Sequence, residues 1–293
     1  MRVLITGITG QDGRYLSQLL SSRKHEVYGL VRNTNQILPN PLIPVYGDLS
    51  ALPKLPEVDE VYNLAAMTHL GESFKSPDLA YMTNAISAIR LMDWAVGIGA
   101  KFYQASTSEM FGNVRGPQDE LTPMRPVSPY GNAKLTAHQH ARMLRDQGHF
   151  VCCGILFNHE SPFRGANFVT QKIARAASKK AKVTLGNLNA ARDWGHAREY
   201  VEGMALMMAH KEPDEFVLAT GKTHTVKDVL EIAYGPSWAD YVTVSDTEKR
   251  PAELHRLCGD ASKAREVLGW KPKRELKDII LEMMAVTDPP FWL

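Results

Sequence analysis

The chain opens with Arg2-Val3-Leu4-Ile5-Thr6-Gly7-Ile8-Thr9-Gly10-Gln11-Asp12-Gly13, and the reading of this stretch decides the fold. Residues 2–6 are apolar almost throughout, as suits a strand covered on both faces. Glycines then recur as G-x-x-G-x-x-G, at Gly7, Gly10 and Gly13, with Thr9, Gln11 and Asp12 among them. A tight strand-to-helix turn needs residues without a Cβ, so that the backbone can bend and come close to a pyrophosphate. The helix that follows offers free N–H groups and its positive dipole end to the same anion. A glycine triplet alone is weak evidence. Its place after an apolar strand and at the opening of a helix makes it a dinucleotide-binding signal.

Outward from this turn, short apolar runs alternate with segments of helical period. Strands are predicted at 2–6, 26–31, 60–64, 101–106 and 150–156, and helices at 12–22, 79–96 and 129–146. The alternation predicts an α/β fold, a Rossmann-type doubly wound parallel sheet. The second half is less regular. Helices are expected near 168–180, 197–210, 226–233, 261–268 and 276–284, short strands near 183–184, 216–219 and 241–244, and irregular loops at 158–167 and 248–257. The simplest division is a dinucleotide-binding domain over 1–157, with 192–222 returning to it. A smaller α/β substrate-binding domain then takes 158–191 and 223–293.

Composition narrows the function classes. With 44% hydrophobic and 23% charged residues the chain reads as globular, and a net charge of +2 is too small to argue for nucleic acid. No apolar run approaches the roughly 18 residues of a membrane span. The start shows no targeting pattern, and the three cysteines read as buried small hydrophobes rather than as metal ligands or a redox pair. The expected setting is cytoplasmic, with no metal.

The end of the second strand, Gly29-Leu30-Val31-Arg32-Asn33, names the dinucleotide. NAD-binding chains usually place an acid there for the ribose hydroxyls. This chain supplies a guanidinium instead, which suits the 2′-phosphate of NADP. Asp48 and Leu49 could contact the adenine, and Leu64, Ala65 and Ala66 close a strand beside the cofactor.

Ser128-Pro129-Tyr130-Gly131-Asn132-Ala133-Lys134 starts a helix well, with Ser as N-cap and Pro at the first helical position. Tyr130 and Lys134, four apart, share one face. Lowering a phenol's pKa by ~3 units takes ~4 kcal/mol. One ammonium at ~4 Å supplies about that much at an effective dielectric of ~20. The expectation is that Lys134 alone makes Tyr130 a usable base. The fifth strand ends in Ser106-Thr107-Ser108-Glu109, where ligands of open α/β sheets sit. Hydride transfer alone needs no carboxylate there. Removal of a carbon-bound proton does, because Glu109 can accept it and then protonate a leaving hydroxyl.

The glycine turn, T-S-E and Y-x-x-x-K together resemble the sugar-nucleotide branch of extended short-chain dehydrogenases. Within it, Phe157-Asn158-His159-Glu160-Ser161-Pro162-Phe163-Arg164-Gly165, the Gly186 to His196 block and Arg250-Pro251-Ala252-Glu253 are similar to the GDP-mannose 4,6-dehydratase family, over about residues 2–272. The resemblance implies NADP as cofactor, GDP-mannose as substrate, and Thr107, Glu109, Tyr130 and Lys134 as catalytic residues. It places His159 and Arg164 on the cofactor side, and Ser108, Asn158, Asn187, Arg192, Arg250 and Glu253 on the substrate side. It also implies a redox-neutral reaction: oxidation at C4, loss of water across C5 and C6, and return of hydride to C6. A dehydratase of another nucleotide sugar such as CDP-glucose, a reductase or epimerase of the same fold, and an NADP-sensing binding protein are the alternatives. The segment 33–46 is shorter than the family pattern. That predicts a homodimer, built on the helices starting near 79 and 129, rather than a tetramer.

Overall fold

A computed structural model describes residues 1–32, 38, 41–248, 252 and 254–286. In chain order the elements are β1 (Arg2–Thr6), α1 (Gln11–Ser22), β2 (Glu26–Val31), β3 (Ile43–Tyr46), β4 (Glu60–Asn63), α2 (Leu70–Lys75), α3 (Pro77–Tyr81), α4 (Ser87–Gly97), β5 (Lys101–Thr107), α5 (Pro129–Asp146) and β6 (Val151–Leu156). There follow β7 (Asn158–Glu160), α6 (Val169–Ser178), β8 (Val183–Leu185), β9 (Ala191–His196), α7 (Ala197–Ala209), β10 (Glu215–Leu218), β11 (Thr223–Thr225), α8 (Val226–Tyr234), β12 (Val242–Val244), α9 (Ser262–Leu268) and α10 (Leu276–Ala285).

Among the described residues, seven parallel strands form the central sheet in the order β10-β6-β5-β4-β1-β2-β3. The order reverses between β1 and β4, so the crevice beyond their carboxyl ends is where a ligand would bind. Alternation along β1 feeds both faces. Val3 and Ile5 pack with Tyr15 and Leu16 of α1 and Met204 of α7, while Leu4 packs with Leu91 and Met92 of α4 and Leu144 of α5. Each such fully buried side chain contributes about 1.5–3 kcal/mol. A third core joins Ile173 of α6, Leu230 of α8 and Ile280 of α10 under β8 and β12.

The predicted Rossmann-type sheet is present, with differences that have physical reasons. β3 contains Pro44, which conceals a strand in the sequence. It is tolerated because, among the described residues, β3 lies at the sheet edge with one side of its ladder unpaired. The continuous helix expected over 79–96 is α3 and α4 joined by a π-helical turn at Met82–Ile86. The loop expected at 158–167 begins instead as β7, which pairs with β9, and β9 pairs with β11. Cys152, Cys153 and Cys258 are buried, and among the described residues no helix is long and apolar enough to cross a membrane.

Candidate active site

A buried polar chain ties the carboxyl ends of the central strands. Thr6 Oγ1 donates to Asn63 Oδ1 (2.7 Å), Asn63 Nδ2 donates to Gln104 Oε1 (2.9 Å), and the Ala65 amide donates to Thr6 Oγ1 (3.1 Å). The glycine turn is packed against this platform. Gly7 has φ +68°, and a Cβ there would lie 2.7 Å from the Ala65 nitrogen; a Cβ on Gly13 would lie 2.4 Å from the Gly7 oxygen. A Cβ on Gly10 would meet only the Gly7 oxygen, at 3.2 Å, because its other side faces an open groove. That groove, of about 590 Å³, is lined by the glycine turn with Thr9, Gln11 and Asp12, by Arg32, Asp48 and Leu49, and by Leu64, Ala65 and Ala66. Asp48 accepts from the amide and hydroxyl of Ser50 (2.8 and 2.6 Å), and these bonds, aided by the charge of Arg32, hold its carboxyl below the usual range.

Beside the groove lies a chamber of about 150 Å³ that gathers Thr107, Ser108, Glu109, Tyr130 and Lys134 with Asn158, His159 and Arg164. Ser128 caps α5 through the Gly131 amide (3.0 Å), and Pro129 occupies the first helical turn. Thr107 ends β5 and accepts from the Glu109 amide (3.3 Å). The helix reaches this turn closely, since a Cβ on Gly131 would sit 2.8 Å from the Glu109 carbonyl oxygen.

The electrostatics depart from expectation. Burial pushes the Tyr130 phenol up to about 12, although a hydrogen bond with the Thr107 side chain opposes it. Burial also lowers Lys134 to about 8, and its Nζ donates to the Ala105 carbonyl (2.8 Å). Burial is thus the largest influence on the Tyr130 phenol, and it opposes ionisation.

A larger cavity of about 630 Å³ opens on the other side and is lined by Asn158, Asn187 and Arg192. Arg192 is buried and donates to the Leu254 carbonyl (2.8 Å), which ties β9 to the late loop. Arg164 borders the groove, the chamber and this cavity. Its guanidinium lies 3.7 Å from the centre of the Phe168 ring, and its Nε lies 3.0 Å from a carboxylate oxygen of Glu160. Arg250 and Glu253 lie outside the described residues.

Some residues that build the site carried no separate role in the sequence reading. Asn63 and Gln104 join the strand ends, and Glu160 and Phe168 fix Arg164. Asn84, in the π-helical turn, clamps the Met67 backbone through both its amide nitrogen (3.1 Å) and its oxygen (2.8 Å). The available signal was polarity inside apolar surroundings, visible at Asn63 and Gln104 but not at Asn84.

The profile of the GDP-mannose 4,6 dehydratase family matches residues 4–283. GDP-mannose 4,6 dehydratase 1 of Arabidopsis thaliana is 43% identical over 318 residues, covering 96% of this chain and 88% of the relative. The human GDP-mannose 4,6 dehydratase is 40% identical, covering 96% and 90%. That of Sinorhizobium fredii is 38% identical, covering 96% and 95%. The first alignment is longer than the chain itself, so the relative has segments that this chain lacks. Among solved structures, a dTDP-glucose 4,6-dehydratase from Streptomyces venezuelae with NAD and TYD bound superposes with a TM-score of 0.88 at 22% identity, covering 100% of this chain and 99% of that one. At that identity the likeness speaks for the fold. The chain belongs to the GDP-mannose 4,6-dehydratase family.

Proposed function

We propose that this protein dehydrates GDP-mannose to GDP-4-keto-6-deoxymannose, with NADP in the groove along the glycine turn and the sugar nucleotide in the larger cavity. The observation that carries the reading is the chamber between them, which gathers a phenol, an ammonium and a carboxylate. The groove suits a dinucleotide: its glycine backbone is bare at Gly10, and Arg32 offers a guanidinium for a 2′-phosphate. Bound there, NADP would supply a hydride acceptor for C4 and a hydride donor for C6.

The protein's own groups handle the protons. Tyr130, oriented by Thr107, takes the C4 hydroxyl proton, and a bound oxidised nicotinamide would add its positive charge to that of Lys134. Glu109 takes the proton from C5, which the new ketone acidifies, and delivers it to the C6 hydroxyl, which leaves as water. Ser108, Asn158, Asn187 and Arg192, with Arg250 and Glu253, hold the sugar nucleotide; His159 and Arg164 serve the cofactor side. The same reading assigns 1–157 with 192–222 to the dinucleotide and 158–191 with 223–293 to the substrate. β9 straddles that boundary, so the three-stranded sheet is the seam.

The reading extends to a cytoplasmic homodimer. Leu79, Tyr81, Met82 and Ile86 are 39–54% exposed along α3 and the π-helical turn, a face suited to burial against a second copy. The direct test is incubation with GDP-mannose and mass analysis of the product. Loss of one water with no net consumption of NADPH is expected. Consumption of one NADPH per product would make the protein a reductase.

A further inference from the structure

Two residues of the glycine turn reach across the molecule to one short strand. Gln11 Nε2 donates to the His159 carbonyl (2.8 Å), and Ser161 Oγ donates to Gln11 Oε1 (3.0 Å). The carboxylate oxygens of Asp12 lie 2.9 and 3.1 Å from His159 Nε2, while His159 Nδ1 lies 2.7 Å from the Phe157 carbonyl oxygen. A carbonyl oxygen only accepts, so Nδ1 must carry a proton. An ionised carboxylate only accepts, so Nε2 must carry one too. With Asp12 ionised, the two contacts together call for an imidazolium. It is also immobile, being buried and stacked on Tyr200 at 4.6 Å. Tyr200 in turn fills the notch at Gly195, where a Cβ would lie 2.3 Å from its ring.

We propose that Asp12 and His159 form a charged latch that fixes β7, and with it Asn158, against the glycine turn, so that the dinucleotide groove and the nucleotide-sugar cavity are coupled through one buried proton. This deepens the functional reading above and rests on it for the identity of the two ligands. His159 is a positioning residue here, because both ring nitrogens are engaged within the protein. Asn158 borders both the chamber and the larger cavity, and Asp12 borders the groove and the chamber.

The charged and titratable groups facing the pair set its pH response. Burial pulls His159 down, the Asp12 carboxylate more than reverses this, and Arg164 opposes; the net shift is upward. Glu160 on β7 feels both partners but is tied to Arg164 and to the Thr170 hydroxyl (2.7 Å). Tyr130 on α5 feels Asp12 and Arg164, and burial keeps it neutral, as it does Tyr200 on α7. A raised histidine holds its proton, and the latch stays closed, below the ordinary value near ~6.5. The latch opens as pH rises through the higher folded value, when a ring lone pair comes to face a carboxylate.

The test joins nitrogen NMR of histidine-labelled protein to calorimetric binding of GDP and of NADP, neither of which needs turnover. At pH ~6, below the ordinary imidazole value, both His159 nitrogens should show the protonated signature, and Asp12→Asn should move the midpoint down. Asp12→Asn should also weaken GDP about tenfold, although Asp12 does not line the GDP cavity, as loss of a charged hydrogen bond predicts. His159→Gln, which keeps a donor toward Asp12, should weaken GDP less than His159→Ala. The Asp12→Asn/His159→Ala double variant should be no weaker than His159→Ala alone. A neutral His159, GDP affinity indifferent to Asp12→Asn, or additive losses in the double variant would overturn the latch. If the unmodified protein did not bind GDP at all, the functional reading would fall, and the nitrogen spectrum would still decide the latch.

Discussion

The carbonyl oxygen of Glu109 occupies space that a side chain on residue 131 would need: an ideal Cβ on Gly131 would lie 2.8 Å from it and 3.0 Å from the Pro126 Cβ. The helix that carries Tyr130 therefore touches the turn that carries Glu109 across a missing methyl group. In Gly131→Ala, alanine gains ~1 kcal/mol of helix propensity, which offsets the crowding, so thermal melting should change little. The Tyr130 and Glu109 side chains would shift apart, and on the proposed mechanism kcat should fall ~10-fold or more, since ~1 Å of misplacement costs up to ~100-fold. A normal kcat would show that this spacing does not matter.

Lys134 carries a cost in stability that its proposed role would explain. Its value falls from 10.5 to about 8 because burial disfavours the charge. For a depressed group the stabilisation is full above the unfolded value and is lost as pH falls through the folded one. Between those two values the unfolded chain binds the proton that the native state lacks, so stability rises with pH. Lys134→Met removes the penalty. The Ala105 carbonyl keeps a donor, Gln104 Nε2 at 3.1 Å. Denaturant titration at pH 7 should show the variant ~1–2 kcal/mol more stable and inactive, with the gain shrinking toward pH 10. A less stable variant at pH 7 would contradict the burial argument.

The contrast between β1 and β9 shows what a sequence can disclose. β1, α1 and α5 carry their own signals: an apolar run, a glycine turn, a Ser-Pro cap. These depend on neighbours along the chain, so the sheet and the Tyr130–Lys134 face were legible. β7, β9 and β11 hold few apolar residues and exist through one another, by pairings such as Asn158 with Trp194 and Thr223 with Asp193. Such pairing leaves no local period. The burial of Tyr130 was not legible for a related reason: the Tyr130–Lys134 spacing can be read from the chain, but the burial that raises the phenol comes from the whole fold.

Cofactor choice should depend on Arg32. It is exposed at the groove and close enough to influence Asp48. Arg32→Ala should weaken NADP by ~10- to 100-fold, the range of one or two charge-assisted hydrogen bonds, and leave NAD nearly unchanged. Fluorescence titration with each dinucleotide reads this directly. Equal affinity for both in the unmodified protein would remove Arg32 from the 2′-phosphate.

Assembly is tested on the apolar face of the π-helical turn that follows α3. Ile86 is 39% exposed and Met82 41%. Light scattering at micromolar concentration should report a dimer, and Met82→Glu with Ile86→Glu should give a folded monomer by burying charge where apolar surface meets. A persistent tetramer, or a dimer untouched by both charges, would place the interface elsewhere.

On the proposed mechanism the reaction separates at Tyr130 and Glu109, which share one chamber but would serve different steps. Tyr130→Phe removes the first base, so GDP-mannose should produce no reduced-dinucleotide absorbance at all. Glu109→Gln leaves the phenol, Thr107 and Lys134 in place and should still permit oxidation at C4. An amide cannot accept the C5 proton, so water should not leave, and the reduced dinucleotide should build up on the protein while 6-deoxy product falls by a factor on the order of 100 or more. In D₂O the unmodified protein should place solvent deuterium at C5, because Glu109 exchanges with solvent through the chamber, and carry substrate-derived hydride to C6. The two variants thus read separate proton transfers in one experiment. Near-normal formation of the 4-keto-6-deoxy sugar by Glu109→Gln would show that another group abstracts the C5 proton, and the assignment of Glu109 would fall while that of Tyr130 stood.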